Sequence, residues 1–207
     1  MNQTTYMPGR PQPFAAVPAN TAWIAVFCAS SHGSRPEYQA AARKLGSEFG
    51  TRSLGLVYGG ASVGLMGTLA DAALAAGAPV VGVLPSVLKD REIAHGGLTE
   101  LHFVESMHER KALMAERASA FVALPGGYGT LDEFLEILTW AQLGIHSKTC
   151  VLVNLLGFYD GLLSFLDHAV AEGFIRPTNR ALIEVAQDVP HALDLVQAAL
   201  LARGPRQ

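Results

Sequence analysis

Residues 120–135 read AFVALPGGYGTLDEFL, and the fold follows from how this stretch is parsed. Ala120 to Leu124 form an apolar run of strand length, and Pro125 stops it. Gly126, Gly127 and Gly129 permit positive φ, after which Phe134, Leu135, Leu138 and Ala141 recur at helical spacing. A strand therefore turns tightly into a helix whose exposed N–H groups and dipole attract an anion. No lysine stands in the loop, which sizes it for one phosphate rather than a triphosphate. Thr130 and Glu133 have two readings, because T-x-x-E is also a capping box in which both side chains only cap the helix.

The same alternation extends outward in both directions. Apolar runs at 22–29, 54–58, 80–84, 101–104, 120–124 and 149–153 alternate with helical patterns over 36–50, 64–76, 106–118, 130–142, 159–172 and 190–202. Runs such as TAWIAVFCA and TCVLVNLL are apolar almost throughout, as in strands covered by helices on both faces. The expected fold class is α/β, a doubly wound parallel sheet flanked by helices. With 207 residues, one domain is expected, spanning 21–203. The proline-bearing segment 1–20 reads as a disordered tail without an export signal, and 85–100 as the one long internal connection.

Composition narrows the partners. Fifteen Lys plus Arg against 18 Asp plus Glu, with no basic cluster longer than Arg110-Lys111, argues against nucleic acid or an anionic membrane. No apolar stretch approaches the ~18–20 residues of a membrane span. Cys28 and Cys150 lie in separate apolar runs, which suits inert buried thiols and a reducing, cytoplasmic setting. Small ligands are the expected partners. Glycine, at 21 of 207 residues, exceeds the typical share of ~7% and clusters.

In an open parallel sheet the ligand crevice lies beyond the carboxyl ends of the strands. Ser30-Ser31-His32-Gly33-Ser34 follows the first run and reads equally as an ordinary polar loop. Tyr58 to Gly67 (YGGASVGLMG) follows the second; its four glycines allow close ligand approach or tight helix–strand packing, but match neither the dinucleotide nor the triphosphate fingerprint. Ser106 to Lys111 (SMHERK) opens a helix with a second capping-box pattern, and two adjacent cations there oppose the helix dipole unless an anion or carboxylate compensates. The seven histidines and two cysteines show no zinc-ligand spacing, and no G-x-S-x-G elbow occurs.

Pro125 to Glu133 (PGGYGTLDE), Met107 to Lys111 (MHERK) and Gly59 to Gly67 together resemble the LOG ("lonely guy") family of cytokinin riboside 5′-monophosphate phosphoribohydrolases, often mislabelled lysine decarboxylases. The resemblance covers about 21–190, with Ala29 where a glycine often precedes the Ser-Ser pair. It implies a Rossmann-like homodimer that hydrolyses the N-glycosidic bond of N6-modified AMP, or AMP, without metal or cofactor. Carried over by motif, Arg110 and Glu133 match the catalytic pair. Lys111 matches an adjacent binding residue, Gly127, Tyr128, Gly129, Thr130, Leu131 and Asp132 the phosphate loop, Glu92 a base contact and Thr139 a further binding position. Ala22 to Ser30 and Gly59-Gly60 would complete the crevice.

The residue types agree with this chemistry. Glycosidic cleavage passes through an oxocarbenium-like state that a carboxylate stabilises while orienting water. Glu133 fits that role, with Arg110 expected to orient it and keep it ionised. A pyridoxal-phosphate decarboxylase needs a Schiff-base lysine, and none of Lys44, Lys89, Lys111 and Lys148 is evidently placed for it. A nucleotide sensor or carrier that binds without turnover is the alternative reading of the same crevice.

Overall fold

The computed structural model describes residues 17–91 and 94–203. Seven parallel strands form one sheet: β1 (Ala22–Phe27), β2 (Leu54–Tyr58), β3 (Val80–Pro85), β4 (Glu100–Val104), β5 (Ala120–Ala123), β6 (Cys150–Val153) and β7 (Ile183–Ala186). Seven α-helices accompany them: α1 (Pro36–Thr51), α2 (Gly64–Ala75), α3 (Met107–Arg117), α4 (Tyr128–Gln142), α5 (Asp160–Ala171), the single turn α6 (Pro177–Arg180) and α7 (Val189–Arg203). The strand order is β4-β3-β2-β1-β5-β6-β7, the doubly wound arrangement expected from the apolar runs.

The two faces of the sheet bury separate cores. Alternate residues of β1 divide between them: Ile24 and Val26 pack with Leu45, Phe49 and Leu69 of α1 and α2, whereas Ala25 and Phe27 pack with Met114, Phe121 and Phe134. Phe27 and Phe121 stack across the β1–β5 pair with centroids 6.1 Å apart. Cys28 and Cys150 are both free and buried, and burial pushes the Cys150 thiol up to about 12.

Several boundaries differ from expectation. β7 falls in a stretch read as connection, because it has only four residues and exposes Glu184 at the sheet edge. The connection after β3 contains a 3₁₀ turn, Ser86–Arg91, and α4 starts at Tyr128, two residues before Thr130. Residues 1–16 of the expected tail, residues 204–207 and Glu92 lie outside the described residues. No helix of the described residues is long and apolar enough to cross a membrane.

The chain winds from β1 outward through β2 and β3 to the edge strand β4, and then returns through α3 to β5, on the other side of β1. The carboxyl ends of β1 and β5 therefore diverge into connections on opposite faces. This is the switch point at which a crevice opens.

Candidate active site

A cavity of about 400 Å³ occupies this switch point, within the size range of small-ligand sites. Cys28 to Ser31 reach it from the end of β1, Gly59 and Ala61 from the end of β2, Leu84 from β3, and Gly127 to Thr130 from the end of β5 and the start of α4. Val63, Met66, Leu84 and Leu88 supply apolar wall, and Arg110 and Glu133 also line the space. A larger hollow of about 820 Å³, with Ala22, Ser119 and Lys148 among its lining, lies at the opposite, amino ends of the strands, away from the glycine loops.

Two helices start at the site, and their hydrogen bonding distinguishes them. At α2, Leu65 N–H donates to Ala29 O at 3.1 Å, and Met66 N–H to the same carbonyl at 3.3 Å, so its first turn is spent inside the protein. At α4 the N-cap is Gly127, with no capping side chain. Its orphan N–H groups suit an anion, and Thr130, buried in the third helical position, adds a hydroxyl. A methyl group at Gly126 would overlap Thr130 Oγ1, so this glycine permits the close return of the loop.

This geometry removes the capping-box reading of Thr130 and Glu133. Both lie inside α4, past its cap, so the capping box is not formed. Glu133 instead points across to α3, where Arg110 Nη1 donates to its Oε1 at 2.6 Å. The two side chains are 12% and 8% exposed. Arg110 Nε donates to Val83 O at 3.1 Å, which anchors the guanidinium on the end of β3. Burial raises the Glu133 pKa above the ordinary carboxylate value, and the Arg110 charge opposes this only in part. Arg110 thus favours the ionised carboxylate, in the expected direction, against the larger opposing effect of burial. The Ser106 cap, by contrast, forms as read, its hydroxyl accepting from Glu109 N–H at 3.1 Å.

The remaining candidates separate. Tyr128, 94% exposed, stands at the rim. Lys111, although adjacent to Arg110, lies outside the cavity lining; its Nζ is 3.1 Å from Asp132 Oδ2 and 2.6 Å from Glu136 Oε2. Asp132 is accordingly committed to Lys111, while Leu131 packs on the core. Thr139 lies farther along α4 with its hydroxyl on Leu135 O at 2.8 Å, away from the cavity. Gly60 has φ +75°, takes His95 N–H on its carbonyl and stands behind the lining residue Gly59. Of Ala22 to Ser30, only Cys28, Ala29 and Ser30 reach the crevice. Of the apolar wall, Val63 and Met66 fall within the Tyr58–Gly67 motif, whereas Leu84 and Leu88 carry no sequence signal that distinguishes them from core. Among the described residues, no three His, Cys, Asp or Glu side chains gather as a metal site.

Residues 66–196 match the family model described as possible lysine decarboxylase. The cytokinin riboside 5′-monophosphate phosphoribohydrolase of Rhodococcoides fascians is 48% identical over 194 residues, 91% of this chain and 98% of that protein. An Arabidopsis thaliana protein of the same name is 53% identical over 174 residues, 84% of this chain and 79% of its own length. The chain belongs to the LOG family of phosphoribohydrolases. Fold likeness reaches beyond the LOG family: the molybdenum cofactor carrier protein of Chlamydomonas reinhardtii superposes with a TM-score of 0.65 at 23% identity, covering 87% of this chain and 99% of the carrier. At that identity the likeness concerns the fold alone. Among the described residues no lysine lines the cavity, and Lys111 is held outside it by two carboxylates, which gives the decarboxylase wording of the family model no support.

Proposed function

We propose that this protein hydrolyses the N-glycosidic bond of cytokinin riboside 5′-monophosphates, releasing the free base and ribose 5-phosphate. The observation that carries the reading is the buried Arg110–Glu133 pair lining the same cavity as the uncapped start of α4. An anion anchor and a single carboxylate stand in one space, as a phosphorylated riboside requires.

In the proposed mechanism the 5′-phosphate sits on the N–H groups of Gly127 to Thr130 and the Thr130 hydroxyl. The ribose then lies over Glu133, and the base and its N6 substituent lie against Val63, Met66, Leu84 and Leu88. Glu133, ionised, stabilises the positive charge that develops at the anomeric carbon and orients the attacking water. Arg110 holds the carboxylate in place and faces the ribose hydroxyls. Binding energy from the phosphate, remote from the breaking bond, is used to position the sugar.

The partner is a small-molecule nucleotide rather than a polynucleotide, in keeping with the net charge of −3. A cytoplasmic setting suits the two free cysteines. A homodimer is part of the same proposal. Only Leu166 of α5 is buried, Phe165 on that helix is 63% exposed, and Phe174 just beyond it is 87% exposed. The deciding experiment is chromatographic: purified protein is incubated with isopentenyl-AMP or AMP and products are separated. Stoichiometric base and ribose 5-phosphate are expected. Nucleotide that binds but stays intact would favour a sensor or carrier.

A further inference from the structure

We propose that Gly59 is a positioning residue, whose missing side chain is the space in which the Arg110 guanidinium lies against Glu133. The inference rests on the reading of Arg110 and Glu133 as the catalytic pair. Gly59 directly follows β2, and a methyl group built on it would overlap Arg110 Nη2, stand 3.3 Å from Arg110 Cζ and 3.1 Å from Met66 Sδ.

The requirement is for space and not for backbone conformation. Among the described residues, Gly60 and Gly64 have φ of +75° and +61°, whereas Gly59 is not among the glycines of positive φ. Alanine therefore adopts the Gly59 backbone without strain. Gly64 meets a different neighbour, the backbone of Ser30 and Ser31. Of these three adjacent loop glycines, Gly59 alone faces Arg110.

Arg110 cannot yield without loss. Met66 has rotatable bonds and can move its sulfur by a few tenths of an ångström. The guanidinium is planar, and it is already fixed through Nε on Val83 O and through Nη1 on Glu133. Displacing Nη2 turns the whole plane and breaks one of these two bonds. The glycine thus acts on the reaction through the arginine it seats.

The test is a double-mutant cycle of Gly59→Ala and Arg110→Ala, read by base release, pH profile and thermal melting. Gly59→Ala is expected to lower kcat by roughly 10–100-fold, the order that a misplacement near 1 Å costs, with KM changed little. The acid limb of its kcat/KM profile moves to higher pH, because Glu133 loses part of the neighbouring positive charge. In the Arg110→Ala background the same substitution adds nothing to the rate and nothing to the melting shift. Wild-type kcat with an unshifted profile, or an equal fold-loss in both backgrounds, overturns the proposal. Should Gly59→Ala fail to fold, the double variant must melt with Arg110→Ala; if it stays unfolded, the proposal is wrong. Failure of the activity itself is seen separately, as wild type releasing no base, and failure of the pair's role as Arg110→Ala matching wild type. In either case the melting arm still reads whether Gly59 acts through Arg110.

Discussion

Arg110 Nη1 lies 2.6 Å from Glu133 Oε1, and the next residue along α3 repeats the connection, with Lys111 Nζ 3.1 Å from Asp132 Oδ2. Three ion pairs, Arg110–Glu133, Lys111–Asp132 and Lys111–Glu136, tie α3 to α4. Only the first lines the cavity. The adjacent cations that looked unfavourable at a helix start are thus compensated by carboxylates of the neighbouring helix. The first pair faces the cavity, and the two pairs of Lys111 hold the frame.

Glu133→Gln removes the charge and keeps the shape. We expect base release to fall by about 10²–10⁴-fold while nucleotide still binds. In the wild type, burial raises the Glu133 pKa, so the ionised form is lost at a higher pH than for a free glutamate. The kcat/KM profile should therefore fall on the acid side with an apparent pKa above the free value of ~4.3. An acid limb at or below that value would show that the Arg110 charge outweighs burial at this carboxylate.

Loss of the 5′-phosphate should reduce kcat as well as binding, because the anchor at α4 is remote from the bond that breaks. Comparing isopentenyladenosine with its 5′-monophosphate, we expect kcat/KM to drop on the order of 10³-fold, which a few charge-assisted hydrogen bonds of about 1.5–3 kcal/mol each readily supply. Thr130→Ala, removing one donor, should lose about tenfold. Equal kcat for riboside and monophosphate would place the phosphate elsewhere.

Lys111→Met tests a framework role against direct substrate binding. The lysine side chain is 9% exposed, but its partners Asp132 and Glu136 are 61% and 24% exposed. The expected stability loss falls between the ~0–1 kcal/mol of surface pairs and the ~3–5 kcal/mol of buried ones. Melting temperature should drop, with kcat reduced modestly and KM nearly unchanged. A KM raised more than tenfold at unchanged melting temperature would show that Lys111 reaches the nucleotide.

Tyr58→Phe should be neutral or stabilising. The ring is fully buried at the end of β2, and its hydroxyl has no hydrogen-bond partner among the described residues. Removing an unsatisfied buried hydroxyl recovers up to about 1 kcal/mol, or about 2–4 °C in melting temperature for a domain of this size. A clear fall in melting temperature would mean that the hydroxyl is satisfied after all.

The sheet was legible because β1, β2, β3, β5 and β6 are buried on both faces and their residues are apolar almost without interruption. β7 was not, since Glu184 interrupts four residues at an edge. Arg110, Glu133 and Gly127 to Thr130 were recognisable from motifs at strand ends, and the structure gathers them around one cavity. Lys111, Leu131, Asp132 and Thr139 sit close to them in sequence but turn elsewhere, because each helical residue rotates its side chain by about 100° from the last. A motif read as a continuous string cannot convey that rotation. Helix α4 also begins earlier than its T-x-x-E pattern suggested, with Gly127 rather than Thr130 at the N-cap.

Arg110 lies on the crossover helix α3, before β5 in the chain, and Glu133 lies on α4, after β5. A cut in the connection between α3 and β5 would leave each fragment with one member of the pair. On the proposed mechanism, bond cleavage then belongs to the sutured chain and to neither half. Turnover becomes a reporter of fragment reunion, appearing only when β5 settles beside β1 with Ile24 opposite Ala120.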